Sequence, residues 1–435
     1  MGCITPLCLR GTVLQNKRMK IAYIFQPPWN PKIMGALGIW NRQVTRRLAN
    51  ECNVIVYAAA LPGQKEIECL DGVKYRCFSL RFDNWLLRYL DALSRRSLLR
   101  SPVFASSLYY IGFALQVAND LRRQKCDVVH IHTLSQFVPI IRALNPRIRI
   151  VLHMHGEWLT QLDRKMIEGR IGKADMIIAC SEYVTARIRK CFPAYAQRAH
   201  TVFMGVDPEA FSPHLSEPPA DRSSRKRLLF VGRISPEKGV HVLLEAFQKV
   251  AADYPEAHLD IVGPDWVMPP EYHLGFSDGS HLTSLMPFYS RDYRGILQEL
   301  LPPQIARRVT FHGLVQHSEL DRYYRDADLY ISSSFYESLG MSILEAMASG
   351  LPVIGTRVGG VPEAVTHGAT GILIEPGDAG QLSATIADLL SNQYLRNSLA
   401  KEARKRAIDL FSWDHVCDNL LRTYSRLCSG DGSPG

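Results

Sequence analysis

The ten cysteines, at 3, 8, 52, 69, 77, 126, 180, 191, 417 and 428, include no Cys-x-x-Cys pair and no short disulfide framework. They read as reduced thiols of a cytoplasmic protein. No stretch reaches the roughly 18 uncharged apolar residues of a membrane span, since even 101–118 is interrupted by Ser, Tyr, Gly and Gln. A soluble or peripheral protein is expected. Residues 1–18 contain Arg10 and Lys17 without an ordered basic, apolar and cleavage-site sequence, which argues against a signal peptide. Met-Gly-Cys fails as a myristoylation site because Pro6 stands where Ser or Thr is required. There is no G-x-x-x-x-G-K-[ST] loop, and no G-x-G-x-x-G follows a strand. Outside 81–110 the basic charge is dispersed rather than gathered with aromatics on one face, which excludes a nucleic-acid-binding surface.

What is present is a two-domain composition: 435 residues, 46% hydrophobic and 21% charged, with 30 Gly and 25 Pro. Lys and Arg number 51 against 42 Asp and Glu, a net +9 that favours anionic partners such as phosphorylated small molecules or a lipid surface. From Lys20 onward, short apolar runs alternate with turns and helix-spaced stretches. The runs Ile21–Phe25, Val54–Ala58, Val128–Ile131, Ile150–Leu152 and Met176–Ala179 predict buried parallel strands of one α/β domain. A second series, Leu228–Val231, His258–Val262, Val309–Phe311, Leu329–Ser332, Pro352–Gly355 and Gly371–Ile374, predicts another, with helices at Val240–Ala252 and Ser338–Ala348. The fold class is therefore α/β: two doubly wound domains facing each other across a cleft. The expected bounds are a disordered tail over 1–18, a first domain over 19–211, a linker over 212–227, a second domain over 228–408, and a terminal helix over 409–435 that returns to the first domain. Open α/β sheets bind ligands at the carboxyl ends of their strands, so the cleft is the expected site.

Two stretches break the rhythm. Residues 264–303, rich in Trp, Tyr and Pro, read as an excursion on the second domain. Residues 81–110 alternate aromatics with Arg88, Arg95, Arg96 and Arg100. They suit either a domain helix with snorkelling arginines or an amphipathic helix at an anionic membrane.

The strongest motif is Glu337-Ser-Leu-Gly-Met-Ser-Ile-Leu-Glu345, directly after a strand ending in Ser332-Ser-Ser. A strand, a glycine turn and a helix start present unpaired N–H groups and a positive dipole end, an anion site. If helical, the spacing sets the carboxylates about 12 Å apart along the axis. That is too far for paired acid and base, and suited to gripping hydroxyls on either side of a pyrophosphate. The second motif is Val231-Gly-Arg233-Ile-Ser-Pro-Glu-Lys238-Gly239, where Gly232 permits close approach and a guanidinium and an ammonium can neutralise a diphosphate. The third is two histidine pairs, His130-Ile-His132 and His153-Met-His155-Gly156, each closing a strand. They can hydrogen-bond a sugar hydroxyl, and without cysteine or carboxylate companions they are not expected to hold a metal. A fourth, Gly35-Ala-Leu-Gly38 after the first strand, reads as a loop that can approach a phosphate or acceptor.

In order and spacing, these segments resemble the retaining, nucleotide-sugar-dependent glycosyltransferases of family 4 (glycosyl transferases group 1), which have the GT-B fold of two Rossmann-like domains. The E-x(7)-E element from Glu337 to Glu345 carries the resemblance furthest, with Gly359-Gly-Val-Pro-Glu363, Asp127-Val-Val-His130 and Phe411-Ser-Trp413 in support. The resemblance implies a hexosyltransferase acting from a UDP- or GDP-sugar on a glycan or lipid-linked acceptor in polysaccharide, lipopolysaccharide or glycolipid biosynthesis. It implies no cofactor and no metal. Arg233 and Lys238 would hold the diphosphate, Glu345 the ribose, and Glu337 and His155 the donor sugar. Gly232 and the backbone of Leu339, Gly340 and Met341 would support sugar and phosphates, with Gly35 or Gly38 in a first-domain loop beside them. A sugar-nucleotide epimerase of the same architecture and a non-catalytic sugar-nucleotide-binding protein are the alternatives.

Overall fold

The computed structural model describes residues 18–28, 35–95, 103–213, 226–267 and 284–429. The expected tail up to residue 17, residues 214–225 of the expected linker, and Arg96 and Arg100 lie outside these residues. The eight described cysteines are unbonded.

The first sheet contains β1 (Lys20–Ile24), β2 (Asn53–Ala59), β3 (Ile67–Leu70), β4 (Val73–Phe78), β5 (Val128–His132), β6 (Arg149–Met154), β7 (Met176–Ala179) and β8 (Ala199–Thr201), in the order β3-β4-β2-β1-β5-β6-β7-β8. The second contains β9 (Lys226–Val231), β10 (Ala257–Val262), β11 (Val309–Gly313), β12 (Leu329–Ser332), β13 (Val353–Thr356) and β14 (Ile372–Ile374), in the order β11-β10-β9-β12-β13-β14. Every pairing is parallel except β3 with β4. Helices on both faces bury the central strands, which is why these appear in the sequence as unbroken apolar runs. The molecule is two Rossmann-like doubly wound domains.

The sequence reading omitted β3, β4 and β8. The β3–β4 hairpin turns at Asp71-Gly72, both residues left-handed (φ 52° and 75°), the Asp-Gly signature of a tight hairpin. Its edge strand is too mixed to register as apolar, with Ile67 and Leu70 largely exposed. Residues 81–110 are not one amphipathic helix. A helix Arg81–Arg95 and a short turn Val103–Ala105 precede a separate helix Ile111–Gln124. Asp83 ties the two helices together, its carboxylate accepting from the N–H groups of Gly112 and Phe113 at 2.8 and 2.9 Å.

Topology fixes where ligands can reach. In the first sheet β1 lies between β2 and β5; in the second, β9 lies between β10 and β12. At each of these reversals, connections leave in opposite directions and open a crevice at the carboxyl ends of the strands. The two crevices share one apolar cluster that runs from Tyr23 and Trp40 through Val206 and Trp413 to Ile343 and Leu344. At the crossover Val206 N–H donates to Phe411 at 2.7 Å, and Trp413 N–H donates back to Val206 at 3.1 Å. Beyond it, the helix Trp413–Ser429 packs on the first-domain helix Ala36–Leu48.

Candidate functional site

The second-domain side is assembled from three loops at the ends of β9, β12 and β13. The loop after β9 carries Gly232, Arg233 and Lys238; the loop after β12 carries Glu337; the third contains Gly359 and Gly360. They are stitched together by main chain. Phe335 N–H donates to Glu237 O at 2.8 Å, Ser333 Oγ to Lys238 O at 3.1 Å, and Gly360 N–H to Glu337 O at 3.1 Å. Two glycines are obligatory here. Gly239 (φ 66°) closes on Ser333, whose carbonyl oxygen would lie 2.0 Å from an added Cβ; Gly359 (φ 52°) leaves only 1.8 Å to Glu337 O. No side chain fits either contact.

This stitching brings Lys238 and Glu337 into an ion pair, Nζ to Oε2 at 2.5 Å, with both side chains partly exposed to the cleft. Arg233 lies beside them, its Nη2 3.0 Å from Glu237 Oε1 and its guanidinium 5.5 Å from the centre of the Trp266 ring. The expected helix Ser338–Ala348 starts only at Met341, with Gly340 left-handed at its N-cap (φ 97°). Ser338 and Leu339 therefore remain in the turn, and the helical spacing assumed for the two glutamates applies only to their second half. Glu345 is buried at the helix face, accepting from Tyr324 OH at 2.8 Å and paired with His317 Nε2 at 2.8 Å. Burial pulls the His317 pKa down, but the hydrogen bond and charge of Glu345, with Asp207 behind, outweigh it and hold the imidazole above its ordinary value. Glu345, His317, Gln316 and Met341 line an interdomain cavity of about 470 Å³, which Ile39, Arg42 and Arg46 close from the first domain.

The first-domain side is built differently. The alternation of side chains in β5 and β6, with His132 opposite His153 in register, puts all four imidazoles of the two pairs in one cluster. His155 Nε2 is 2.8 Å from His132 Nδ1, His153 Nδ1 is 3.0 Å from His130 Nε2, and His130 Nδ1 is 2.6 Å from Tyr424 OH. Tyr424 continues to Tyr23 OH at 3.1 Å, so the terminal helix is bound into the chain of hydrogen bonds. Burial drives all four histidines below their ordinary pKa, His155 to about 3. The cluster is neutral at physiological pH. His130, His132 and His153 present nitrogens within 4.8 Å of one another and are the group among the described residues that could take a metal ion. Both His130 nitrogens are already engaged, so a metal using His130 would displace Tyr424 or His153. His155 Nδ1 is buried with no protein partner.

Gly35 and Gly38 are not a loop. Gly35 is the extended N-cap of the helix Ala36–Leu48, and Gly38 lies in its first turn. A helix N-terminus at the end of β1 therefore stands where the glycine loop was expected, and residues 29–34 before it lie outside the described residues. The domains also meet directly. Glu363 in the second domain accepts from Glu182 N–H and Tyr183 N–H, both at 2.6 Å, at the first turn of the first-domain helix Glu182–Cys191.

Sequence reasoning missed Glu237, Tyr289, His317 and Tyr324 as parts of this site. Glu237 is fully buried although it lies in a Pro-Glu-Lys-Gly turn that looks solvated. Nothing local in the sequence around His317 or Tyr324 signals that they converge on Glu345.

Comparison with known proteins agrees with this fold. Residues 213–406 match the family described as glycosyl transferases group 1, and residues 38–210 match glycosyltransferase family 4. The chain is similar to spore coat protein SA of Bacillus subtilis, 27% identical over 90% of this chain and 95% of that protein. It is also similar to the D-inositol 3-phosphate glycosyltransferase of Mycolicibacterium smegmatis, 30% identical over 60% of this chain and 54% of that protein. In fold it matches the sucrose-phosphate synthase of Thermosynechococcus elongatus with a TM-score of 0.71 at 21% identity, covering 95% of this chain and 100% of that one. An Anabaena protein solved in complex with UDP-glucose matches with a TM-score of 0.63 at 18% identity, covering 94% and 100%.

Proposed function

From the premise that the chain is a group 1 glycosyltransferase of GT-B fold, we propose that it transfers a hexose, with retention, from a UDP- or GDP-sugar to a glycan or lipid-linked acceptor. The carrying observation is the grouping of Arg233 and Lys238 at the β9–β12 crevice, each held by a carboxylate. Two cations facing one crevice suit a leaving diphosphate, whose developing charge they stabilise without a metal. Donor phosphate would take over Lys238 from Glu337, freeing that carboxylate for the hydroxyls of the donor sugar. Glu345 and the cavity beside it would receive the ribose, the carboxylate accepting from its hydroxyls. His155, neutral and with Nδ1 buried without a protein partner, would hydrogen-bond a sugar hydroxyl rather than act as an acid. The leaving phosphate would take the acceptor proton in a front-face attack.

A product screen across UDP- and GDP-sugars, UDP-glucose first, tests this reading. Sugar transfer with retained anomeric configuration in excess EDTA is expected. Absence of transfer with every donor, or activity lost in EDTA and restored by manganese, would refute it.

No helix among the described residues is long and apolar enough to cross a membrane. We propose that the enzyme works at the cytoplasmic face of an anionic membrane through the helix Arg81–Arg95. Phe82, Trp85 and Tyr89 are 54%, 65% and 59% exposed there, with Arg81 and Arg88 on the same helix. Co-sedimentation with anionic vesicles should fall when Arg88, Arg95 and Arg96 are changed to Glu; unchanged sedimentation would dismiss the contact.

A further inference from the structure

Glu237 is a carboxylate with no solvent exposure, in the short turn Pro236–Lys238 between the two cations of the site. A charge so buried persists only where its oxygens are satisfied. The two oxygens are satisfied separately. Oε1 accepts from Ser235 Oγ at 2.7 Å and from Arg233 Nη2 at 3.0 Å; Oε2 accepts from Tyr289 OH at 3.0 Å. Tyr289 ends the short helix Met286–Tyr289, in the excursion that interrupts the second domain. The start of the same excursion supplies Trp266, whose ring faces the Arg233 guanidinium. Arg233 is therefore faced on one side by a ring from the excursion, and on the other by a carboxylate of its own turn that a second excursion residue holds.

From residue 284 onward the excursion is also fixed to the domain by more than these contacts; residues 268–283 lie outside the described residues. Tyr293 OH is 2.8 Å from His241 Nδ1, and the His241 ring stacks on Phe288 at 4.1 Å and on Phe335 at 5.7 Å between centroids. Phe335 belongs to the loop that bears Glu337. Burial, and then the charge of Glu237, holds the Tyr289 pKa far above its ordinary value, so the phenol stays protonated and donates.

We infer that Tyr289 and Glu237 are positioning residues for Arg233, and that the excursion thereby tunes affinity for the diphosphate of the donor. This rests on the proposed nucleotide-sugar reading of the same crevice. Tyr289 fills one lobe of the carboxylate, leaving the other to orient one edge of the guanidinium. The remaining guanidinium N–H groups have no other hydrogen-bond partner among the described residues, which suits them to an anion. Without the phenol, Glu237 Oε2 would lose the donor that Tyr289 supplies, and the carboxylate would draw Arg233 inward, away from the ligand.

A double-mutant cycle on the full chain tests this, with UDP, UMP, GDP and GMP as calorimetric probes. Tyr289→Phe should weaken the preferred nucleoside diphosphate about three- to tenfold, the range of one lost hydrogen bond, and leave the monophosphate within about twofold. In an Arg233→Ala background, Tyr289→Phe should have no further effect on the diphosphate. Equal losses for mono- and diphosphate, an undiminished effect in the Arg233→Ala background, or wild-type binding by Tyr289→Phe would each overturn the inference. If Arg233→Ala itself binds the diphosphate as wild type does, the nucleotide-sugar reading fails and this inference with it. Circular dichroism and the thermal midpoint of each variant establish that the compared proteins are folded.

Discussion

The two walls of the cleft solve the same problem with opposite chemistry. The second-domain wall is ionic: Lys238 with Glu337, Arg233 with Glu237, and His317 with Glu345. The first-domain wall is neutral: the hydrogen-bonded chain His153–His130–Tyr424–Tyr23 and the pair His132–His155, beneath Trp40. On the ionic side each cation is compensated by a carboxylate, which under the proposed function an incoming anion would replace. The neutral cluster is buried, His155 alone of the six being partly exposed, and it brings no charge to the cleft. Under the proposed function, charge selectivity would belong to one half of the molecule and hydroxyl recognition, through His155, to the other.

Breaking the ionic wall should have the largest effect. Lys238→Ala and Glu345→Ala are each expected to reduce transfer about 100-fold or more, as loss of a group that stabilises developing charge or aligns the donor does. The circular dichroism spectrum should stay that of the wild type. Rates within a few-fold of wild type would remove these residues from the site.

Acid should act on the other wall first. The four imidazoles have folded-state pKa values depressed by burial, that of His155 to about 3, against 6.5 when solvated. Between those values the unfolded chain binds more protons than the folded one. The stability these groups confer is complete above pH 6.5 and is lost as the pH falls, at up to about 1.4 kcal/mol per pH unit for each histidine. Urea unfolding at pH 7.5 and 5.5 measures this, and His153→Gln should flatten the dependence. A stability that does not change over that interval would show that the cluster is not held neutral.

The smallest expected effect is at the bridge between the walls. Glu363→Ala removes a carboxylate from two N–H groups of the helix Glu182–Cys191. It should weaken this contact between the domains by about 1 kcal/mol, seen as about a fivefold rise in donor KM with kcat little changed. An unaltered KM would mean that this contact does not support donor binding.

The contrast between the walls also explains what was legible in the sequence. Central strands, the β9 and β12 loops and the positions of Arg233, Lys238 and Glu337 on those loops could be read because local rules produce them: apolar runs on buried strands, and glycine turns opening helices. The hairpin at Asp71-Gly72 was equally readable from its turn and was passed over. Gly38 was misassigned because a glycine-bearing segment after a strand suits a loop and a helix start alike. The four-histidine cluster depends on the register of β5 against β6, and the Glu237–Tyr289 and Glu345–His317 pairs join segments 52 and 28 residues apart. Such meetings are set by tertiary packing and leave no mark on local spacing.

The division of labour between the walls is tested most directly by calorimetric titration of UDP and GDP into the wild type, Lys238→Ala and His155→Gln. Micromolar-class binding of one nucleotide to the wild type is expected, with at least about tenfold weaker binding to Lys238→Ala and unchanged binding to His155→Gln, whose defect should emerge only with the sugar attached. Equal binding of the nucleotide by wild type and Lys238→Ala, or its loss in His155→Gln, would contradict it.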